Sequence, residues 1–258
     1  MADFEDRLVA VLAELGSTEG IVVDEADEGR LGTWLTGPDH AFEVIRKVAG
    51  MRLAPFMADN FHRYERLGCY WWGAGEDEAI GGEFWLTHLV NVCVAEVPAG
   101  LPEADWPAEA CPHAEDGRYG YLCNISEVFG PNEEELVVQA FDQQGLAGIG
   151  AVTGFACGDD GFTTVDGSPG HPEIWFSVNT DATLVRLDIT YPEYLEMLLL
   201  TRGLFGWQYL YADPRDPGFG HHRPDMGPDL DFLERTFPRD DFSELRARWD
   251  VHLRDRRE

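Results

Sequence analysis

The chain has 258 residues, 44% of them hydrophobic, with eight Trp, eight Tyr and fifteen Phe, enough to build a core without disulfide or metal staples. Forty-eight acids against nineteen bases leave a formal net charge of −29, which disfavours nucleic acid and anionic membrane surfaces as partners and favours a cationic protein. The five cysteines, Cys69, Cys93, Cys111, Cys123 and Cys157, are odd in number and never closer than twelve positions, a spacing that fits neither a disulfide framework nor a zinc site.

In chain order, Asp3 is positioned to cap a first helix with Phe4, Leu8, Val11, Leu12 and Leu15 on one face and Gly16 as its stop. The segment from Thr33 to Tyr64 reads as helical, broken at Gly37-Pro38 and near Pro55, with Phe42, Ile45 and Val48 at helical spacing. Gly82 to Leu86 reads as a strand leading to a short helix around His88 to Ala95. Tyr119 to Ile125 and Glu135 to Phe141 are short β-rich runs. Ile174 to Val178 and Thr183 to Leu187 form a hairpin about Asn179-Thr180-Asp181. Thr190 and Glu193 spell a capping box that opens a helix with Tyr191, Tyr194, Leu195, Leu198 and Leu199 on its apolar face, ending at Gly203. A short helix is expected from Asp229 through Leu230 and Leu233 to Arg235. A last one is opened by Asp240 or Asp241, with Phe242, Leu245, Trp249 and Leu253 facing inward.

This order predicts an α+β fold with a mixed or antiparallel sheet backed by helices and with helical extensions at both ends. It divides the chain into a helical N-terminal portion (1–70), an α+β core (71–213) and a loop with C-terminal helices (214–258). The longest unbroken apolar run, Leu8 to Ala13, is far short of the ~20 residues that span a bilayer. Met1 to Arg7 carries three acids and one base, so no cationic leader is expected, and the location expected is the cytoplasm.

Charge is uneven along the chain. Trp71 to Val185 holds twenty acids and one base, Arg118, a net −19. Within it, Glu133, Glu134 and Glu135, with Asp159 and Asp160, are the expected contacts for a basic partner. Trp207, Tyr209 and Tyr211 alternate like a strand; they either pack one face on the core or expose an aromatic ladder, in which case Trp207 and Tyr211 join the binding residues.

Catalytic signatures are thin, and the expectation is no catalytic residue, no cofactor and no metal. His113-Ala114-Glu115 has the opening of a zinc deaminase motif but lacks the P-C-x-x-C half. His221 and His222 with Asp225, Asp229 and Asp231 have ligand chemistry suited to a divalent ion, in a Pro-rich loop without a helix to fix their spacing. They define the alternative reading, a metal-dependent hydrolase. Gly145 to Gly150 is Gly-rich without the Lys and Ser/Thr of a phosphate loop.

The run from Ile174 to Leu198, strand, Asp-containing turn, strand and Thr-capped helix with an aromatic-Leu face, resembles the C-terminal core of the SUKH superfamily. Gly82-Glu83-Phe84-Trp85-Leu86 resembles that family's Gly-x-x-x-Leu strand start, and Leu200 to Asp213 resembles an extension found in some of its members. The family's N-terminal Leu-Pro-x-x-Tyr segment and Asn-Gly pair are not recognisable here. The superfamily contains yeast cell-wall assembly regulators and many bacterial immunity proteins. The resemblance implies an α+β domain without enzyme chemistry that neutralises a toxin, often a nuclease, by binding it, or else a regulatory scaffold.

Overall fold

Helix α1 (Phe4–Ser17) buries Phe4, Leu8, Leu12 and Leu15, the stripe its periodicity predicts. The structure, a computed structural model, describes residues 4–30, 36–48, 52–93, 122–124, 137–144, 151–158, 161–162, 172–178, 183–215 and 224–255. After α1 come strand β1 (Ile21–Arg30), helix α2 (Pro38–Val48), a 3-10 turn at Pro55–Ala58, and strands β2 (Tyr64–Gly73) and β3 (Gly81–Thr87). Short helix α3 (Leu89–Cys93) follows β3, and then strands β4 (Leu122–Asn124), β5 (Val137–Gln144), β6 (Ala151–Gly158), β7 (Gly161–Phe162), β8 (Ile174–Val178) and β9 (Thr183–Leu187). Helix α4 (Tyr191–Thr201), a 3-10 turn at Trp207–Tyr211, and helices α5 (Met226–Thr236) and α6 (Ser243–Asp255) complete the chain.

The fold is α+β. One sheet runs in the order β1-β2-β3-β5-β6-β8-β9, with β4 beside β5 and β7 beside β6, and every pairing is antiparallel. Two meanders, β1-β2-β3 and β5-β6-β8-β9, meet at a single register pair, Leu86 opposite Asp142. A bulge between Ala140 and Asp142 turns the Asp142 carboxylate into this joint. It accepts the Trp85 backbone N–H at 2.9 Å and the Tyr194 hydroxyl at 2.6 Å. The Tyr194 oxygen also lies 3.0 Å from Thr153 Oγ1 and accepts from Gln208 Nε2 at 3.3 Å. One buried carboxylate thus ties both meanders to α4.

Helix α4 has the capping box its sequence predicts, with the Thr190 N–H donating to the Glu193 carboxylate at 2.9 Å. Tyr191, Tyr194, Leu195, Leu198 and Leu199 are all buried, each such side chain contributing about 1.5–3 kcal/mol over exposure. The helix ends at Arg202, which is left-handed at φ 54°, followed by Gly203 at φ 71°. A Cβ on Gly203 would fall 2.7 Å from the Phe84 ring, so glycine serves both the turn and the close approach of α4 to β3.

Two sequence expectations change. The N-terminal portion is not simply helical: β1 and β2 come from it, and the expected boundary at residue 70 cuts β2 in the middle. The mixed apolar and charged run of β2 is a strand because β1 and β3 flank it, and Gly68 permits the close approach, since a Cβ there would sit 1.9 Å from the Phe84 carbonyl oxygen. Trp207–Tyr211 is a 3-10 turn, entered through Gly206 at φ 78°, and not a strand. Residues after 213 pack on the rest of the chain: Trp71 stacks on Phe232, and the Arg248 guanidinium lies 3.9 Å over the Tyr211 ring. Arg202, itself buried, lies 3.7 Å over Phe237 and donates to Glu14 and Asp240, joining α1, α4 and the α5–α6 turn.

Candidate binding surface

Strand β1 pairs with β2 and with no other strand among the described residues. Its sequence is IVVDEADEGR. Asp24, Glu25, Ala26, Asp27 and Glu28 are all exposed. Asp24, Glu25, Asp27 and Glu28 form no ion pair with a described residue. Four exposed carboxylates with no ion-pair partner among the described residues therefore lie within five positions of one strand.

The direction of the backbone follows from the ladder. The Ala74 N–H donates to Gly20, whereas the Gly73 N–H donates to Ile80 on the β3 side. Antiparallel pairing alternates, so Trp72, Tyr70, Gly68 and Arg66 turn their backbone groups toward β1, opposite Val22, Glu25, Asp27 and Gly29. Ala26 and Glu28 consequently direct their N–H and C=O away from β2, along the open edge. The bulge between Val23 and Glu25 lets Asp24 stand out of register.

Side chains alternate across the sheet as well. Val22, Glu25 and Asp27 share the face of Trp72 and Tyr70, whose rings are 5.4 Å apart; Phe205 lies 6.3 Å from Tyr70. All three rings are half-buried and Val22 is 40% exposed. Aromatic faces beside carboxylates suit the stem and head of Lys or Arg.

A second concavity, about 690 Å³, lies between β8, β9, the start of α4, α6 and the Pro55–Ala58 turn. Four of its five acids are already engaged: Glu173 pairs with Arg186 at 3.1 Å, Glu196 with Arg7 at 2.8 Å, Glu244 with Arg248 at 3.1 Å, and Glu193 caps α4, while Asp188 is exposed. The Tyr211 hydroxyl donates to Glu244 at 3.1 Å, and burial with the nearby Glu244 charge raises its pKa. Two histidines are buried together where β2 begins and β3 ends. The His62 and His88 rings are 5.6 Å apart, and His88 Nδ1 accepts the Val90 N–H at 3.0 Å. Burial lowers the His62 pKa to about 4 and takes that of His88 well below its usual value, so both are neutral at pH 7.

The expected site residues are placed unevenly. Glu133, Glu134, Glu135, Asp159 and Asp160 lie outside the described residues, as do His113, His221, His222 and Gly145 to Gly150. Trp207 is 0% exposed and Tyr211 3%, so of the two readings of this stretch core packing holds, and neither residue is available as a surface contact. The 3-10 geometry is the reason: with three residues per turn it sets Trp207 with Leu210 and Gln208 with Tyr211 on the buried side and leaves Tyr209 half-buried, where a strand would put Trp207, Tyr209 and Tyr211 on one face. Asp225 caps α5 by accepting the Gly227 N–H at 3.1 Å, and Asp231 pairs with Arg246. Burial, with Asp225 nearby, raises Asp229 to about 6. No group of three or more potential metal-ligating side chains occurs among the described residues.

Of the twenty acids between Trp71 and Val185, fourteen lie outside the described residues. Among the others, Glu83 and Asp142 are buried, and Asp77 and Glu173 are paired with Arg235 and Arg186. Sequence reasoning missed β1 because Asp and Glu are poor strand formers, and four of its ten residues are acidic. The available signal was the Ile21-Val22-Val23 run after Gly20.

None of the described helices is long and apolar enough to cross a membrane. Comparison with known protein families, with curated proteins and with solved structures finds no match for this chain.

Proposed function

We propose that this chain works by binding a cationic partner protein in the cytoplasm, the partner class being a basic toxin such as a nuclease, as the resemblance to SUKH immunity proteins implies. The observation that carries this reading is the group of four exposed carboxylates on β1 that have no ion-pair partner among the described residues, at the end of the sheet. A nuclease cleft is basic because it holds anionic nucleic acid, so carboxylates on a rigid support complement it and speed encounter. The net charge of −29 adds long-range attraction, which salt screens over about 10 Å at 0.1 M.

The test is a titration with labelled poly-L-lysine at low and high salt. Neutralising Asp24, Glu25, Asp27 and Glu28 to their amides is expected to weaken binding several-fold more than neutralising Glu76, Glu78, Asp188 and Asp250, exposed acids elsewhere. Equal losses from the two sets would show that net charge alone attracts the probe and would remove β1 from the proposal. Co-expression with the product of a neighbouring toxin gene, scored for rescue of growth, tests the partner class.

A further inference from the structure

We infer that the partner is held by strand addition: an extended, basic segment pairs with the open edge of β1 and continues the sheet. This rests on the proposed binding of a cationic protein and specifies its mode. Ala26 and Glu28 present backbone donors and acceptors along the edge that no described strand pairs, and the residues Asp24 to Glu28 are all exposed. Between the two register shifts of β1, Glu25 to Gly29 is a regular run of five residues, about 17 Å at ~3.4 Å per residue, enough to dock a short strand. Backbone pairing would supply the binding energy and alternate side chains the selectivity.

Charge selects the occupant. A second copy of this chain on the same edge would bring two acidic strands together, and like charges opposed across a ladder are destabilising. A strand with Lys or Arg at alternate positions would instead face Glu25 and Asp27, with Tyr70 and Trp72 as apolar ground for its side-chain stems. The carboxylates therefore do two things on one edge: they keep identical chains apart and admit a basic strand.

The experiment is fluorescence anisotropy at low salt with a labelled peptide of about eight residues alternating Lys and Thr. It is compared with the same peptide methylated on every backbone nitrogen, which keeps all charges and removes all N–H donors. Methylation is expected to weaken binding about tenfold or more. Ala26→Pro, which removes an outward N–H and leaves the β1–β2 ladder its bonds, is expected to weaken the unmethylated peptide by a similar factor. The salt dependence should persist. Equal binding of the two peptides by the parent protein overturns strand addition and leaves the anionic grip standing. Failure of both peptides to bind at low salt overturns both. If Ala26→Pro alters thermal unfolding, the peptide pair measured on the parent protein decides.

Discussion

The two ends of the sheet are finished differently. At β9 the chain covers the C-terminal end of its own edge: Leu187 bridges to Ala212, the Asp188 N–H donates to the Tyr211 carbonyl at 2.7 Å, and Trp207 is buried in the core. At β1 no described segment lies alongside, and four carboxylates stand where a neighbouring strand would pair. A strand edge must be covered, paired or charged if identical molecules are not to join through it. Among the described residues, one end of the sheet is met by the chain's own turn at Leu187 and Asp188, and the other carries charge.

Breaking the covered end should have the largest effect. Trp207→Ala removes a fully buried indole and is expected to cost about 3–5 kcal/mol in urea denaturation, with faster amide exchange in β9 than in β1. If β1 loosens first, the covered end does not depend on this turn.

Acid should act on the opposite half. The folded pKa of His62, about 4, lies below its unfolded value of about 6.5, so below 6.5 the unfolded chain takes up protons that the folded chain does not. Stability is therefore full above pH 6.5 and declines toward pH 4, by up to about 3 kcal/mol for His62, with His88 acting in the same direction. Hydrogen exchange at pH 5 should show β2 and β3 opening ahead of β8 and β9, and His62→Gln should flatten the pH profile. A profile unchanged by that substitution would assign the acid sensitivity elsewhere.

The joint between the halves comes next. Tyr194→Phe deprives the buried Asp142 of a 2.6 Å donor and is expected to cost about 1–3 kcal/mol, read from chemical denaturation. The Thr190 cap beside the covered end is smaller still: Thr190→Ala should cost about 1 kcal/mol. The charged edge should contribute least to stability. Replacing Asp24, Glu25, Asp27 and Glu28 by Thr is expected to shift stability by only about 0.5 kcal/mol per site, while sedimentation shows new self-association. A variant that stays monomeric would mean that the carboxylates are not what keeps the edge open.

The sequence by itself determined the elements whose signals are local. The apolar stripe of α1, the β8–β9 pair, the Thr190–Glu193 cap and the inward face of α6 each follow from residues within one or two turns or one hairpin. The charge that motivates a cationic partner is likewise a sum over residues and needs no fold. Tertiary structure decided where that charge becomes a surface. β1 is a strand because β2 offers it a ladder, against the propensity of its own acids, and Glu83 and Asp142 are interior because neighbours solvate them with hydrogen bonds. Trp207 and Tyr211 are core because the chain turns as a 3-10 segment behind β9. Whether a carboxylate is buried, paired or free depends on contacts between residues far apart in the chain, and a linear pattern does not contain those distances.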